Sequence, residues 1–559
     1  MLPYGVEDME GRMRAIAVIE TVSNQNFIFG TNRLREIVGA SEMIYAAGVD
    51  LVLEACGYEK GDIEQARKKG GLANFKQSKD GEIDFLLVTS GKAILLGDEE
   101  RLKNVIRKVT AEALARMPGI TVRGAVADLS DKTPKRLHEA IREAHKRLAD
   151  LRSRIPSNDV RFQRLPVVAE CTSSGLPARG FDRFAPDEAM QVVSEPVRAK
   201  RRHRKTGLDR LSKWLPRLTA DNIEELEKHL EGRDANWIAV VHADGNGLGE
   251  IFLDFLNKSG AKDFDDYIRK YRDFSLALEA CTIMATERAI SETWPEPENA
   301  SKSGKKAEVR APIIPLILGG DDLTVVCEGS RAVKFTEEFL RAFEGETGKA
   351  KGITEIAEEG LTACAGIAIV KPHFPFHRAY ELAEELIKSA KKLGKKDPDK
   401  FCSALHYHVH FDSSGADWER ISAQLDVPGK AHLSVQPWAV SCENAGVREI
   451  EKLWRGIAAL KATDDDDEGR PRLPRSQQHA LREALFAGRD IANARLKRIK
   501  HRYQDVKWGD ILPSENKLFV EEDGQFITPL LDMMDLADLM DAADIRKLAE
   551  QNREEEQPA

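Results

Sequence analysis

Two stretches of this chain share one plan: DFLLVTSGKAILLG, Asp84 to Gly97, and PLILGGDDLTVVCEG, Pro315 to Gly329. Each is a pair of hydrophobic runs joined by a turn of small residues, the pattern of a β-hairpin. The order strand, helix, hairpin, helix, strand recurs around both. In the first copy the strand and helix come from MRAIAVIETVSNQNFIFGTNRLREIVGASEMIYAAG (Met13 to Gly48). A charged helix from Asp98 to Met117 and the strand ITVRGAVADL complete it. In the second copy the parts are WIAVVHADGNGLG (Trp237 to Gly249), a helical stretch to about Glu292, the hairpin, RAVKFTEEFLRAFEGE, LTACAGIAIV and the helix HRAYELAEELIKSAKKL. Aligning the two turns sets the copies roughly 230 residues apart, so the chain is expected to be α+β, with an α/β unit duplicated around an antiparallel hairpin.

The turns differ in chemistry. A hairpin does not need Asp321 and Asp322 side by side, because adjacent carboxylates repel, and a bound cation is the simplest compensation. Gly319 and Gly320 let something bulky approach the backbone. A strand ending Val-Val-His-Ala-Asp leaves Asp244 at the mouth of the sheet, and Gly245-Asn246-Gly247 after it offers backbone N–H groups to an anion. Two acidic clusters beside glycine turns suit a metal-bound triphosphate. The first copy has Thr89-Ser90-Gly91-Lys92 at the same turn, a set that cannot hold a metal. Other nucleotide signatures fail: Glu250 stands where a dinucleotide fingerprint needs its last Gly or Ala, and Leu86 stands where a P-loop ending at Gly91-Lys92 needs its first glycine.

With 559 residues the chain has room for roughly three to four domains. A net charge of -9 excludes a uniformly basic coat but permits a local basic groove. No window approaches the ~18 consecutive apolar residues of a membrane span, and the start MLPYGVEDMEG lacks the plan of a signal peptide. No membrane association is expected. Seven cysteines without regular spacing point to a reducing cytoplasm rather than a disulfide framework.

Several features are weighed and set aside. CTSSGLPARG, from Cys171, outlines a zinc knuckle, but Ser174 replaces the second thiolate, so no zinc is expected. The basic run from Arg198 to Lys205 reads as a solvated linker rather than an RNA contact. His406, His408 and His410 alternate along an apparent strand and share one face, where exposed or core-lining histidines are commoner than ligands. From about Val447 the chain reads as amphipathic helix, with apolar Leu485, Phe486, Ile491 and Leu496 along one stretch. An acidic loop at DDDDEGRPRLP interrupts it, and the tail REEEQPA reads as disordered.

HADGNGLG, LGGDDLTVV and the unit ending ELIKSAKKL together resemble the catalytic palm of the large, polymerase-like subunit of type III CRISPR effector complexes, a palm similar to nucleotide cyclases. NFIFGTNRLREIVGASEMI resembles that subunit's first, inactive palm. The resemblance implies two ferredoxin-like palm domains: an inactive one over residues 1–150 and a catalytic one over 236–412. Between them, 151–235 would be a linker domain whose zinc site is lost, and 413–559 a C-terminal helical domain. It further implies that Asp244, Asp321 and Asp322 hold two Mg²⁺ or Mn²⁺ ions on ATP, with Lys391 and Lys388 neutralising phosphate. The product would be a cyclic oligoadenylate second messenger. The partners would be ATP, guide and target RNA through other subunits, and a small helical subunit on the C-terminal helices. Asn246 departs from many relatives, which carry a second aspartate there. Larger relatives begin with a nuclease domain marked by a His-Asp pair. None of the 13 histidines here is followed by aspartate, so no cleavage of single-stranded DNA is expected. Two other readings stay open: a nucleotide-binding scaffold subunit and a stand-alone cyclic dinucleotide synthase. The residues do not specify the base, the ring size or any need for activating RNA.

Overall fold

The computed structural model describes residues 14–68, 75–152, 158–183, 189–218, 237–295, 311–398, 400–412, 415, 417–463, 470–514, 517–541 and 543–548. The first unit runs β1 (Arg14–Val22), α1 (Asn24–Ile28), α2 (Leu34–Gly48), the hairpin β2 (Asp84–Thr89) and β3 (Lys92–Asp98), α3 (Glu99–Arg116), β4 (Thr121–Asp128) and α4 (Pro134–Arg152). Its antiparallel sheet has the order β2-β3-β1-β4. After α5 (Glu195–Trp214) the second unit repeats the plan. It comprises β5 (Ile238–Gly245), α6 (Phe264–Thr293), the hairpin β6 (Ile313–Gly319) and β7 (Asp322–Glu328), α7 (Ala332–Thr347), β8 (Ala363–Val370) and α8 (Phe376–Gly394).

The second sheet has the order β6-β7-β5-β8, matching the first strand for strand, and is then extended by β9 (Ala404–Val409), which runs parallel to β8. Even an irregularity repeats. Both hairpins shift register at one place, between Phe85 and Leu87 and between Pro315 and Ile317. Pro315 is tolerated because β6 is an edge strand, where a missing N–H costs no ladder bond. The architecture is two ferredoxin-like palms with helical parts around them.

The β8 strand is buried along its whole length, and Gly366 explains how α8 lies so close to it. A Cβ at 366 would stand 2.0 Å from the Ala383 carbonyl oxygen and 2.6 Å from the Ile387 nitrogen. The two units are also tied together: Arg272 of α6 donates to the Phe85 carbonyl of β2 at 2.8 Å.

Two expectations need correction. The basic run is no solvated linker: it lies in α5, which crosses α2 so closely that a Cβ at Gly39 would meet the Lys200 carbonyl oxygen at 1.8 Å. Lys200 and Arg201 of the run, with Arg210 further along α5, turn inward onto partners in α1 and α2, while Arg202 and Lys205 stay exposed. Arg201 meets Glu36 at 2.9 Å, Arg210 meets Glu42 at 2.6 Å, and Lys200 donates to the Phe27 carbonyl at 2.6 Å. The second correction is a disulfide between Cys402 and Cys442, where the sequence suggested reduced thiols.

The C-terminal part continues with β10 (Asp426–Val427), β11 (Ala431–His432), β12 (Trp438–Ala439), α9 (Ile450–Leu460), α10 (Arg475–Phe486), α11 (Arg489–Arg502), β13 (Val520–Glu522), β14 (Gln525–Ile527) and α12 (Leu530–Ala537). It therefore holds, besides helices, a small sheet of order β10-β11-β14-β13, while β12 joins the second palm sheet beside β9. Leu485 and Leu496 are core residues, whereas Phe486 and Ile491 are about half exposed. His406 and His410 are buried, and the rings of His406 and His408 both pack on Trp418. Most of the acidic loop and the tail REEEQPA lie outside the described residues. No helix among those described is long and apolar enough to cross a membrane.

Candidate active site

Asp244 is the next-to-last residue of β5, and Asp322 opens β7. Ala243 pairs with Leu323, so one step further along the same ladder sets Asp244 against Asp322. Asp321 occupies the two-residue turn with Gly320, whose φ of 62° is the left-handed conformation that a first central position of this kind demands. Carboxylate oxygens of Asp244, Asp321 and Asp322 all lie within 4.8 Å of one another, the one such convergence of three acidic, His or Cys groups among the described residues. Gly245 makes room for it. A Cβ there would lie 2.5 Å from the Leu248 side chain and 3.1 Å from the Asp321 Cβ.

Three half-buried carboxylates this close cannot all stay ionised without a cation. Burial, and then the charge of Asp321, push the Asp322 carboxyl up to about 7. Asp321 is also raised by burial, while backbone amides, including that of Gly245, and the Lys92 ammonium of the first unit oppose the rise. A hard, oxygen-only donor set with a surplus of negative charge fits Mg²⁺ or Mn²⁺.

Lys391 of α8 reaches the cluster, and its Nζ donates to Asp244 Oδ2. Burial, and then Lys395, push its ammonium down to about 8. Lys388 does not arrive: it lies outside the cluster, paired with Glu385 at 2.5 Å. Asn246 also points elsewhere. Its Nδ2 donates to Thr362 Oγ1 at 2.9 Å and to the Cys402 carbonyl at 3.1 Å, and its N–H donates to the Thr362 carbonyl at 2.8 Å. One amide of the supposed anion cradle is therefore already engaged. Gly247, at φ 74°, is fixed by its own conformation and by Phe401, whose ring a Cβ would meet at 2.7 Å. Around Gly320 a Cβ would find open space, and at Gly319 it would meet only Glu279 and Ser90, each at 3.7 Å.

Other groups at the site have no motif. Burial, followed by the Lys391 charge, pushes His242 down to about 4, so it is neutral; its Nδ1 lies 3.0 Å from Thr324 Oγ1. Tyr380 accepts from Gln25 of the first unit at 2.8 Å and donates to Glu384 at 3.1 Å, with Phe29 stacked on its ring. Tyr380, Glu384 and Lys391 recur at helical spacing, so the periodicity of α8 could have put Tyr380 on the Lys391 face. Glu279 of α6 sits beneath the Gly319 turn, and burial pushes its carboxyl up to about 7. Thr282 donates to the Gly320 carbonyl at 2.5 Å. Asp322 and Gly319 open onto a cavity of about 910 Å³ between the units, whose first-unit wall includes Ser23, Asn24, Ser90 and Arg123. That is the size of a site for a nucleotide-sized ligand.

Residues 237–398 match the family model described as Cas10/Cmr2, second palm domain. This part of the chain is a Cas10-type palm. Several solved structures are similar to the chain at low identity. A Csm1–Csm4 cassette in complex with cA3 is 14% identical at a TM-score of 0.48, covering 96% of this chain and 70% of that one. An apo Csm1–Csm4 cassette is 13% identical at 0.47, covering 90% and 65%. Csm1 of T. onnurineus is 13% identical at 0.46, covering 90% and 66%. No curated protein matches the chain in sequence. The Cas10-type palm holds Asp244, Asp321, Asp322, Tyr380 and Lys391, whereas Gln25, Ser90 and Lys92 reach the site from outside the matched span.

Proposed function

We propose that this chain is the polymerase-like subunit of a type III CRISPR RNA-guided complex, and that its second palm joins ATP into cyclic oligoadenylates with Mg²⁺ or Mn²⁺. The observation that carries the reading is the convergence of Asp244, Asp321 and Asp322 in a Cas10-type palm, at the mouth of a cavity walled by both units. When bound, divalent ions would supply Lewis-acid chemistry, offsetting triphosphate charge and easing loss of the proton from an attacking ribose hydroxyl. The three carboxylates would hold those ions. Lys391, released from Asp244, would neutralise phosphate, and the bare Gly319-Gly320 turn would let the nucleotide lie on the hairpin. Residues 1–150 would form the inactive palm and 151–235 the linker. Residues 236–412 would form the catalytic palm and 413–559 the C-terminal domain, with half-exposed Phe486 and Ile491 offered to a small helical subunit. Guide and target RNA would be held by other subunits, in the cytoplasm.

A scaffold reading is favoured by one observation: the Lys391–Asp244 pair neutralises a ligand carboxylate without an ion. Incubating the chain with each NTP and Mg²⁺ or Mn²⁺, alone and in its complex with target RNA, separates the readings. Cyclic adenylate products are expected. ATP binding without product in every condition would leave the scaffold, and full activity of the isolated chain would favour a stand-alone synthase.

A further inference from the structure

Among the described residues two helices are strongly basic, α5 and α11, and they treat their charges in opposite ways. Arg201 and Arg210 of α5 are turned onto α2 and bound there, and Lys200 is bound by the Phe27 carbonyl of α1. In α11, RDIANARLKRIKHR, six Arg and Lys stand against one Asp, in a chain whose net charge is -9. Ala492, Leu496 and Ile499 seat this helix on the core, which leaves Lys497, Arg498, His501 and Arg502 exposed. Among the described residues neither Lys497 nor Arg498 has an ion-pair partner, nor does the exposed Lys517 nearby. The helix dipole favours cations in the last turn, which accounts for Lys500, His501 and Arg502 but not for Arg495, Lys497 and Arg498 before them. Like charges at helical neighbour spacing, Arg495 with Arg498 and Arg498 with Arg502, work against the helix.

A cleft of about 670 Å³ runs along this face, lined among others by Arg489, Asn493, Lys497, Lys500, Lys517 and Phe526. Phe526, from β14, forms its aromatic wall, with the Arg489 guanidinium stacked 4.0 Å over the ring. Cations that follow a strand, together with an aromatic face and an amide, are the parts of a single-strand site: phosphates take the charge and bases stack. A duplex is excluded by shape, since a major-groove reader presents a protruding helix and α11 forms one wall of a cleft. An acidic protein segment would use the cations and leave the aromatic wall without a role.

We infer that the cleft between α11 and the β13–β14 hairpin binds single-stranded nucleic acid. The inference does not rest on nucleotidyl transfer. The test uses the full chain and short labelled single-stranded RNA and DNA of one sequence, with affinity measured across a salt series. Replacing Lys497→Glu and Lys517→Glu together should weaken binding at least about tenfold and reduce the salt slope by about 1.4, at roughly 0.7 per phosphate contact. The corresponding glutamine variant should fall between, and an unchanged melting temperature shows that each variant folds. Arg202→Glu on α5 should bind as wild type does, and so should the Asp321→Ala, Asp322→Ala double variant. Preference for RNA or for DNA would identify the source of the strand. An unchanged salt slope in the charge-reversed variant would overturn the assignment, as would loss of binding only in the Asp321, Asp322 variant. Equal affinity for a poly-glutamate peptide would overturn it in favour of an acidic protein.

Discussion

The two units have one frame and opposite turns. Strand order, hairpin and even the register shift near the start of each hairpin coincide, yet the first turn reads Thr-Ser-Gly-Lys and the second Gly-Gly-Asp-Asp. The ladders sharpen the contrast. Glu20 pairs with Lys92 in the first unit, at the place where Asp244 faces Asp322 in the second. The first unit has therefore kept an acid on its central strand and set a cation across from it, where the second sets another acid. One cross-strand position separates an acid facing a cation from an acid facing an acid, a set that could hold a divalent metal. Nor is the first turn idle, because Lys92 lowers the proton affinity of Asp321 and Ser90 lies against Gly319.

The largest effect is expected from removing what the second unit has and the first lacks. Asp321→Ala with Asp322→Ala should reduce product formation by at least about a thousandfold while the fold persists, since metal chemistry is lost and like-charge repulsion is relieved. Product at the wild-type rate would show that the unlike turns do not divide the labour.

The next comparison is with protons. Asp322 keeps its proton up to about pH 7 in the ion-free protein. Mn²⁺ affinity, read by calorimetry, should therefore fall about tenfold for each pH unit below that value and level off above it. Because the folded value is raised, ion-free stability declines as pH rises from the ordinary carboxyl range through 7. Asp322→Asn should accordingly raise the ion-free melting temperature at about pH 8, raise it less at about pH 5, and lose that advantage when Mn²⁺ saturates the wild type. A pH-independent affinity would mean that the cluster carries no such proton.

Asn246 offers a smaller effect of definite sign. Asn246→Asp would aim a carboxylate at the Cys402 carbonyl, so it should cost about 1–3 kcal/mol of stability in denaturant titrations and add nothing to metal affinity. Tighter Mn²⁺ binding would show that the position can turn toward the metal. Smallest of all, Lys92→Ala removes a cation from the cluster's surroundings and should tighten Mn²⁺ about two- to fivefold above pH 7, where no proton competes. An unchanged constant would show that the first unit leaves the cluster untouched.

Much of this frame was legible because it rests on local signals. Alternating apolar runs around glycine turns fixed both hairpins, and a carboxylate at the end of a strand put Asp244 beside the hairpin. What stayed hidden depends on distant partners. The inward turn of α5 follows from Glu36 and Glu42, more than 160 residues earlier. The engagement of Asn246 depends on Thr362 and Cys402, and the disulfide on Cys442. The opposition of Glu20 and Lys92 appears only once strand register is known. The short C-terminal strands, two or three residues each, are too brief to leave a period-two signature.

Gly366 carries no charge, yet it sets how closely α8 lies on β8. The groove its missing methyl leaves in β8 works as a notch in which α8 is seated, so Tyr380 and Lys391 hang at a height fixed by the strand and cannot be retuned by sliding the helix. A single added carbon at 366 would lift the helix off its seat and carry Lys391 away from Asp244. A lineage could thus silence the site while every acidic residue remained in its sequence, and an intact Gly-Gly-Asp-Asp turn alone is no certificate of a working palm.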